Sequence, residues 1–265
     1  MVKVDRADGH VEELQQAITA FFATKPFVVG GGRDPETRKP FHYVASVQSP
    51  PAAVSAIAGD TIQNLRSALD HLAYQLVAVG TNKPGPFEHV YFPIHNDAVS
   101  YASKKGAQVK GMRGEAVKAI DALAPYRGGD ETLWRLHKLN QVDKHRSVVT
   151  VGTAYRSVDL GGYMLRHALD AMPADSPMRA GLREIADGKQ LQAFFKPAER
   201  MFPLKAGDVL FIGGPGEDID EKLEFRFDIG FGEPGIVEGD PLLDALKEIA
   251  GHVRSIAISF ERFLE

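Results

Sequence analysis

The sequence predicts an α+β protein: a central helical bundle, a mainly antiparallel sheet and a long C-terminal helix. Three observations carry this. Apolar residues recur at helical spacing over long stretches of the first half and again at the C-terminus. Extended, alternating segments gather in the second half, most clearly where Leu223, Phe225, Phe227, Ile229 and Phe231 alternate with Glu224, Arg226 and Asp228. Strands and helices do not interleave as βαβ units require, so a doubly wound parallel sheet is not expected.

In chain order, 10–24 reads as a first helix with Val11, Leu14, Ile18, Phe21 and Phe22 on one side. Gly30-Gly31-Gly32 and Pro35 then break the chain, and the glycines read as a loop. The alternation of Phe41 to Val47 predicts a strand, which Pro50-Pro51 ends; Pro51 also opens the next helix. That helix runs to about Val79 with Val54, Ala58, Leu65, Leu69, Leu72 and Leu76 as its apolar stripe. A Pro/Gly-rich loop and a short extended piece, Val90 to Ile94, follow, then two modest helices over 98–109 and 114–124. Asp130 is the expected N-cap of a helix ending near Arg146.

Beyond it, 148–155, 161–165, 192–202 and 208–212 read as extended, with a turn at Lys205-Ala206-Gly207-Asp208, a connection at Gly213-Gly214-Pro215-Gly216 and a short helix over 180–186. A final helix begins at Asp240-Pro241 and carries Leu242, Leu246, Ile249, Val253, Ile256, Phe260 and Phe263 on one face. The chain is expected to be one domain over 1–265, with a subdivision into a helical part (50–147), a β-rich part (148–238) and the C-terminal helix (239–265).

Composition narrows the function. Hydrophobic residues make up 44% and charged residues 25%, the balance of an ordinary globular protein. A net charge of -4 gives no global attraction to nucleic acid or anionic membrane, so an RNA site would have to be a local basic patch. With no cysteine, disulfides, thiolate nucleophiles and Cys-type zinc sites are excluded. The N-terminus carries no basic-then-apolar leader and no run approaches a membrane span, so a cytoplasmic protein without a membrane partner is expected.

The chemistry concentrates in two helices. In 59–72, Asp60, Asn64, Ser67, His71 and, just beyond, Gln75 fall at spacings of 4, 3, 4 and 4, which is one polar stripe. Arg66 and Asp70 stand at i,i+4 on another side, where they can pair. Either the stripe faces water or it lines a cleft against a second polar helix. In 131–146, Leu133, Leu136, Leu139 and Val142 mark the buried side, and Asn140 and Asp143 project with them. An aspartate there needs a cation or several donors, with Arg66, Lys144 and Arg146 as candidates. Asp143 therefore fastens the two helices together, acts with His145 in catalysis, or ligates a metal. His137 and His145 lie two turns apart, about 12 Å, too far to chelate one ion as neighbours would. No HExxH, EF-hand, nucleophile-elbow or phosphate-loop pattern occurs, and no cofactor or metal is expected.

Arg66-Ser67-Ala68-Leu69-Asp70-His71 fits Arg-x4-His and resembles the motif of the HEPN superfamily, helical-bundle proteins that include metal-independent ribonucleases of toxin and phage-defence systems. The resemblance implies an RNA or nucleotide substrate and a homodimer whose cleft brings the motif together. It makes His71 the acid/base and Arg66 the group that stabilises phosphorane charge. A wider pattern spans Asn64 to Leu72, Phe92-Pro93-Ile94, Pro125-Tyr126 and Asp143-Lys144-His145-Arg146. It resembles a group of uncharacterised bacterial and phage proteins and implies no activity.

The leading expectation is phosphodiester cleavage, with Arg66, His71, Asp143 and His145 as catalytic residues. Asn64, Asp70, His137, Asn140, Lys144 and Arg146 are the expected substrate contacts. A non-catalytic small-molecule-binding or interaction protein, in which these groups only lock helices together, is the alternative. A metal-dependent hydrolase using Asp70, His71, His137, Asp143 or His145 is the third reading.

Overall fold

The computed structural model describes residues 1–146, 149–173, 175–187, 194–195, 201–215, 218–219 and 223–265. It is an α+β structure with antiparallel sheets and a long C-terminal helix. The chain forms two compact units, one of residues 1–20, 51–151 and 231–265 and the other of 21–50 and 152–230.

The first unit is helical. Helix α1 (Val2–Ala23) begins a full two turns before the expected start at His10. Val4, Ala7, Val11, Leu14 and Ile18 are all buried at spacings of three and four, and that stripe carries the helix through Gly9 despite the ~1 kcal/mol preference against glycine. Helix α2 (Ala52–Thr81) buries Val54, Ala58, Ile62, Leu65, Leu69, Leu72 and Leu76 and ends where Asn82 turns left-handed at φ 53°.

Helices α3 (Ala98–Gln108) and α4 (Gly114–Leu123) follow as expected. Asp97 caps α3 by accepting from the Ser100 N–H at 2.7 Å. The α3–α4 pair is fastened by Asp121, which accepts from Tyr101 Oη at 2.7 Å and pairs with Lys105. Helix α5 (Glu131–Arg146) is capped by Asp130, whose Oδ1 accepts from the Leu133 N–H at 2.9 Å.

The second unit holds the sheets and two short helices. Strands β1 (Phe27–Arg33) and β2 (Pro40–Val47) pair antiparallel, and β2 pairs antiparallel with β5 (Val209–Ile212). The other sheet has the order β4-β3-β6, from β3 (Val151–Asp159), β4 (Phe194–Phe195) and β6 (Glu224–Phe231). Between them Val44, Tyr155, Val158, Leu204, Leu210 and Leu223 form a buried cluster. The expected turn at 205–208 is present, with the Lys205 N–H donating to Asp208 at 2.7 Å and Gly207 at φ 96°.

Two expectations are corrected. Gly30-Gly31-Gly32 is not a loop but the middle of β1. The glycines lack side chains, and cross-strand rings replace them: Tyr43, opposite Gly30, and Phe41, opposite Gly32, lie 2.8 and 2.7 Å from where a Cβ would stand. Residues 161–165 are not a strand but open α6 (Gly161–Asp170). Asp159 accepts from the Gly161 N–H at 3.0 Å, and Leu165 and Leu169 then follow at helical spacing with Leu169 buried. Helix α7 (Arg179–Asp187) packs on α6. Most of the extended segment expected at 192–202 lies outside the described residues.

The first unit is completed by α8 (Leu242–Phe260), which buries Leu242, Leu246, Ile249, Val253, Ile256 and Phe260. Helix α8 packs on α2 and α5, and α2 also packs on α5. Among the described residues no helix is long and apolar enough to cross a membrane.

Candidate functional site

Arg66 projects from the buried side of α2. Its Nη2 stands 2.8 Å from Asp70 Oδ1 and donates to the Phe92 carbonyl at 2.9 Å. The same Asp70 oxygen accepts from the Phe92 N–H at 3.0 Å. The pair thus satisfies both backbone groups of one residue and fixes 92–94 against the bundle, where Phe92 and Ile94 are buried. Burial pulls the Arg66 guanidinium down from its ordinary pKa, and the Asp70 carboxylate opposes that shift. Arg66 thus links α2 to the following segment, and its Nη1, also buried, has no hydrogen-bond partner among the described residues.

His71 lies five residues on, about 140° around the helix, and is exposed. It lines a groove of about 240 Å³ with Lys3, Gln75 and Glu261 as its other polar side chains and Val2, Leu72 and Leu264 among the apolar ones. Arg66 does not share that groove. Asn64, two residues before Arg66 and on the polar side, donates to the Asp60 carbonyl at 2.8 Å and accepts from Lys3 Nζ at 3.4 Å.

Asp143 meets α2 elsewhere. Its Oδ1 lies 2.5 Å from where a Cβ on Gly59 would stand, so the absent side chain at Gly59 makes room for the carboxylate. Gly59 and His71 are twelve residues apart on one helix, about 18 Å of rise. The expected cleft joining His71 to Asp143 is not formed, and among the described residues none of α5 lines the His71 groove. Asn140 is 4% exposed, as its place on the apolar stripe predicts, and its Oδ1 has no hydrogen-bond partner among the described residues. His137 and Gln141 bond to each other at 3.0 Å along α5. The side chains of Lys144, His145 and Arg146 lie outside the described residues. Among the described residues no three His, Asp or Glu groups are placed to hold a metal ion.

A second feature was not found from the sequence. In the β-rich unit an open cavity of about 500 Å³ is lined by Val29, Gly30, Gly31, His42, Ile219, Leu223, Phe225 and Phe227. Gly31 is paired with His42 across the β1–β2 ladder, so both face the same side of the sheet, and the Ile219 side chain fills the place a Gly31 side chain would take, 2.6 Å from where its Cβ would stand. His42 is 7% exposed, with the Phe225 and Phe211 rings 5.4 and 6.2 Å away. Phe227 is stacked on Phe27 at 4.3 Å. The available signal was the alternation of Phe41-His42-Tyr43, which needs a partner strand; the preceding glycines supply it.

No protein-family model, curated protein or solved structure matches the chain.

Proposed function

We propose that this protein is a small-molecule-binding protein whose site is the cavity of the β-rich unit. One observation carries the reading: a cavity of about 500 Å³, of the size small-molecule sites have, is lined among the described residues by Val29, Leu223, Phe225, Phe227 and the His42 imidazole. The polar groups of α2 and α5 are read as fastenings, since Arg66 and Asp70 are engaged with each other and with Phe92. The test is a titration of the full chain with a panel of straight-chain, saturated cyclic and aromatic alcohols, followed through the backbone amide resonances of Gly31, His42 and Phe227. Saturable shifts there are expected with at least one compound class. A panel that leaves all three resonances unmoved would end the proposal.

HEPN-like RNA cleavage is the second reading, favoured by an exposed His71 that shares its groove with Lys3. It requires Arg66 to leave Asp70 and the Phe92 carbonyl when RNA binds. RNA cleavage that disappears in His71→Ala while the melting temperature stays unchanged would support it. Cleavage that persists in His71→Ala, or none by the native protein, would remove it.

A further inference from the structure

We propose that Ile219 is an end wall of the β-unit cavity and sets how long a ligand it takes; the inference rests on the binding reading above. Strand alternation gives the frame. Phe27, Val29, Gly31 and Arg33 follow one another on one face of β1, and Val29 and Gly31 line the cavity. At one end of this row the Phe27 ring is stacked on Phe227 at 4.3 Å. At Gly31 the row has no side chain of its own.

Ile219 supplies one from a segment remote in sequence. Its Cγ2, Cδ1 and Cβ lie 2.6, 3.5 and 3.7 Å from where a Cβ on Gly31 would stand. The next position of the row is met as well, because Arg33 Nη2 donates to Asp218 Oδ1 at 3.2 Å. Residues 218 and 219 are thus seated on β1 at two successive positions of one face. The ion pair is exposed and contributes little, so the seat depends on the fit of Ile219 into the Gly31 gap. A ligand lying along the row has the Phe27–Phe227 pair at one end and Ile219 at the other. From Phe27 to Gly31 the strand rises about 13 Å. A ligand chain that reaches Ile219 can lengthen no further without displacing it.

The experiment titrates the full chain with straight-chain primary alcohols from 1-butanol to 1-dodecanol and with 4-alkylphenols of matching tail length, read through the His42 amide resonance. In the native protein each added methylene is expected to tighten binding about fourfold until the tail meets Ile219, where the gain stops. Ile219→Val keeps the Cγ2 seated over Gly31 and should move the stopping length by about one methylene; Ile219→Ala should move it by about two. Gly31→Val in the Ile219→Ala background returns bulk to the same place from the strand itself, so the native stopping length should return. The Cβ kept at 219 then stands 3.7 Å from the new one, an ordinary contact. One stopping length shared by the native protein, Ile219→Val and Ile219→Ala would overturn the assignment, as would a gain that never stops in the native series. Silence of both series while another alcohol of the panel binds would overturn it too, because length is then not what the cavity selects. Each of these results leaves the cavity standing as a site. Silence of every compound would overturn the binding reading itself.

Discussion

Arg66 and Asp70 form an ion pair of 2.8 Å inside the helical unit, with side-chain exposures of only 7% and 26%. An isolated i,i+4 pair on a wet helix contributes about 0.3–0.5 kcal/mol. This pair differs because it also holds both backbone groups of Phe92. Removing one partner therefore does more than lose a salt bridge.

Asp70→Asn leaves the Arg66 charge buried without its carboxylate. It should destabilise the protein by about 3 kcal/mol, the lower end for breaking a buried pair, since Asp70 retains some solvent. Arg66→Met combined with Asp70→Leu removes both charges but also strips both Phe92 backbone groups of their partners, so it should cost at least as much as Asp70→Asn alone. Urea unfolding of the native protein and the two variants measures this. An Asp70→Asn loss below about 0.5 kcal/mol would show the pair to be an ordinary surface contact.

Asp130 links the start of α5 to α8. One oxygen caps α5, and the other lies 2.6 Å from His252 Nε2. The hydrogen bond to Asp130 raises the His252 pKa above its ordinary 6.5; burial opposes this, and the charges of Asp130 and Glu248 add to it. The folded state thus binds the His252 proton more tightly than the unfolded chain does. Its contribution to stability is fully present below pH 6.5 and is lost as the pH rises through the higher folded value. Unfolding midpoints in urea between pH 5.5 and pH 9 should fall more steeply for the native protein than for His252→Gln. Parallel profiles would exclude His252 as a source of the pH dependence.

The helices were legible because their signal is periodic and long. The stripes of α2 and α8 stand where the spacing of Leu65, Leu69, Leu72 and of Leu242, Leu246, Ile249 places them, and Asp130 caps α5 as its chemistry predicts. The β-rich unit was less so. Two of the three strands of its first sheet come from residues 27–47, and Gly30 to Gly32 conceal a strand because rings from the partner strand supply the missing bulk. Sequence spacing likewise put Arg66 and Asp70 together but could not say that Phe92, 22 residues past Asp70, completes the arrangement. Nor could it say that Asp143 meets α2 at Gly59, far from His71, because which turns of two helices cross is set by tertiary packing.

That crossing makes the last prediction. In an exposed helix interior, Gly→Ala stabilises by up to about 1 kcal/mol. At Gly59 the new methyl would stand 2.5 Å from Asp143 Oδ1, well inside van der Waals contact. Gly59 is buried and the carboxylate sits on a short, half-buried side chain, so the helix and the aspartate have to separate. Gly59→Ala should therefore lower stability rather than raise it. Asp143→Ala removes the obstructing oxygens, and adding Gly59→Ala in that background should be neutral or stabilising. The sign reversal between the two backgrounds is a coupling energy that a double-mutant cycle in urea reads directly. If Gly59→Ala stabilises the native background as well, Asp143 does not rest against α2, and the fastening assigned to it is wrong.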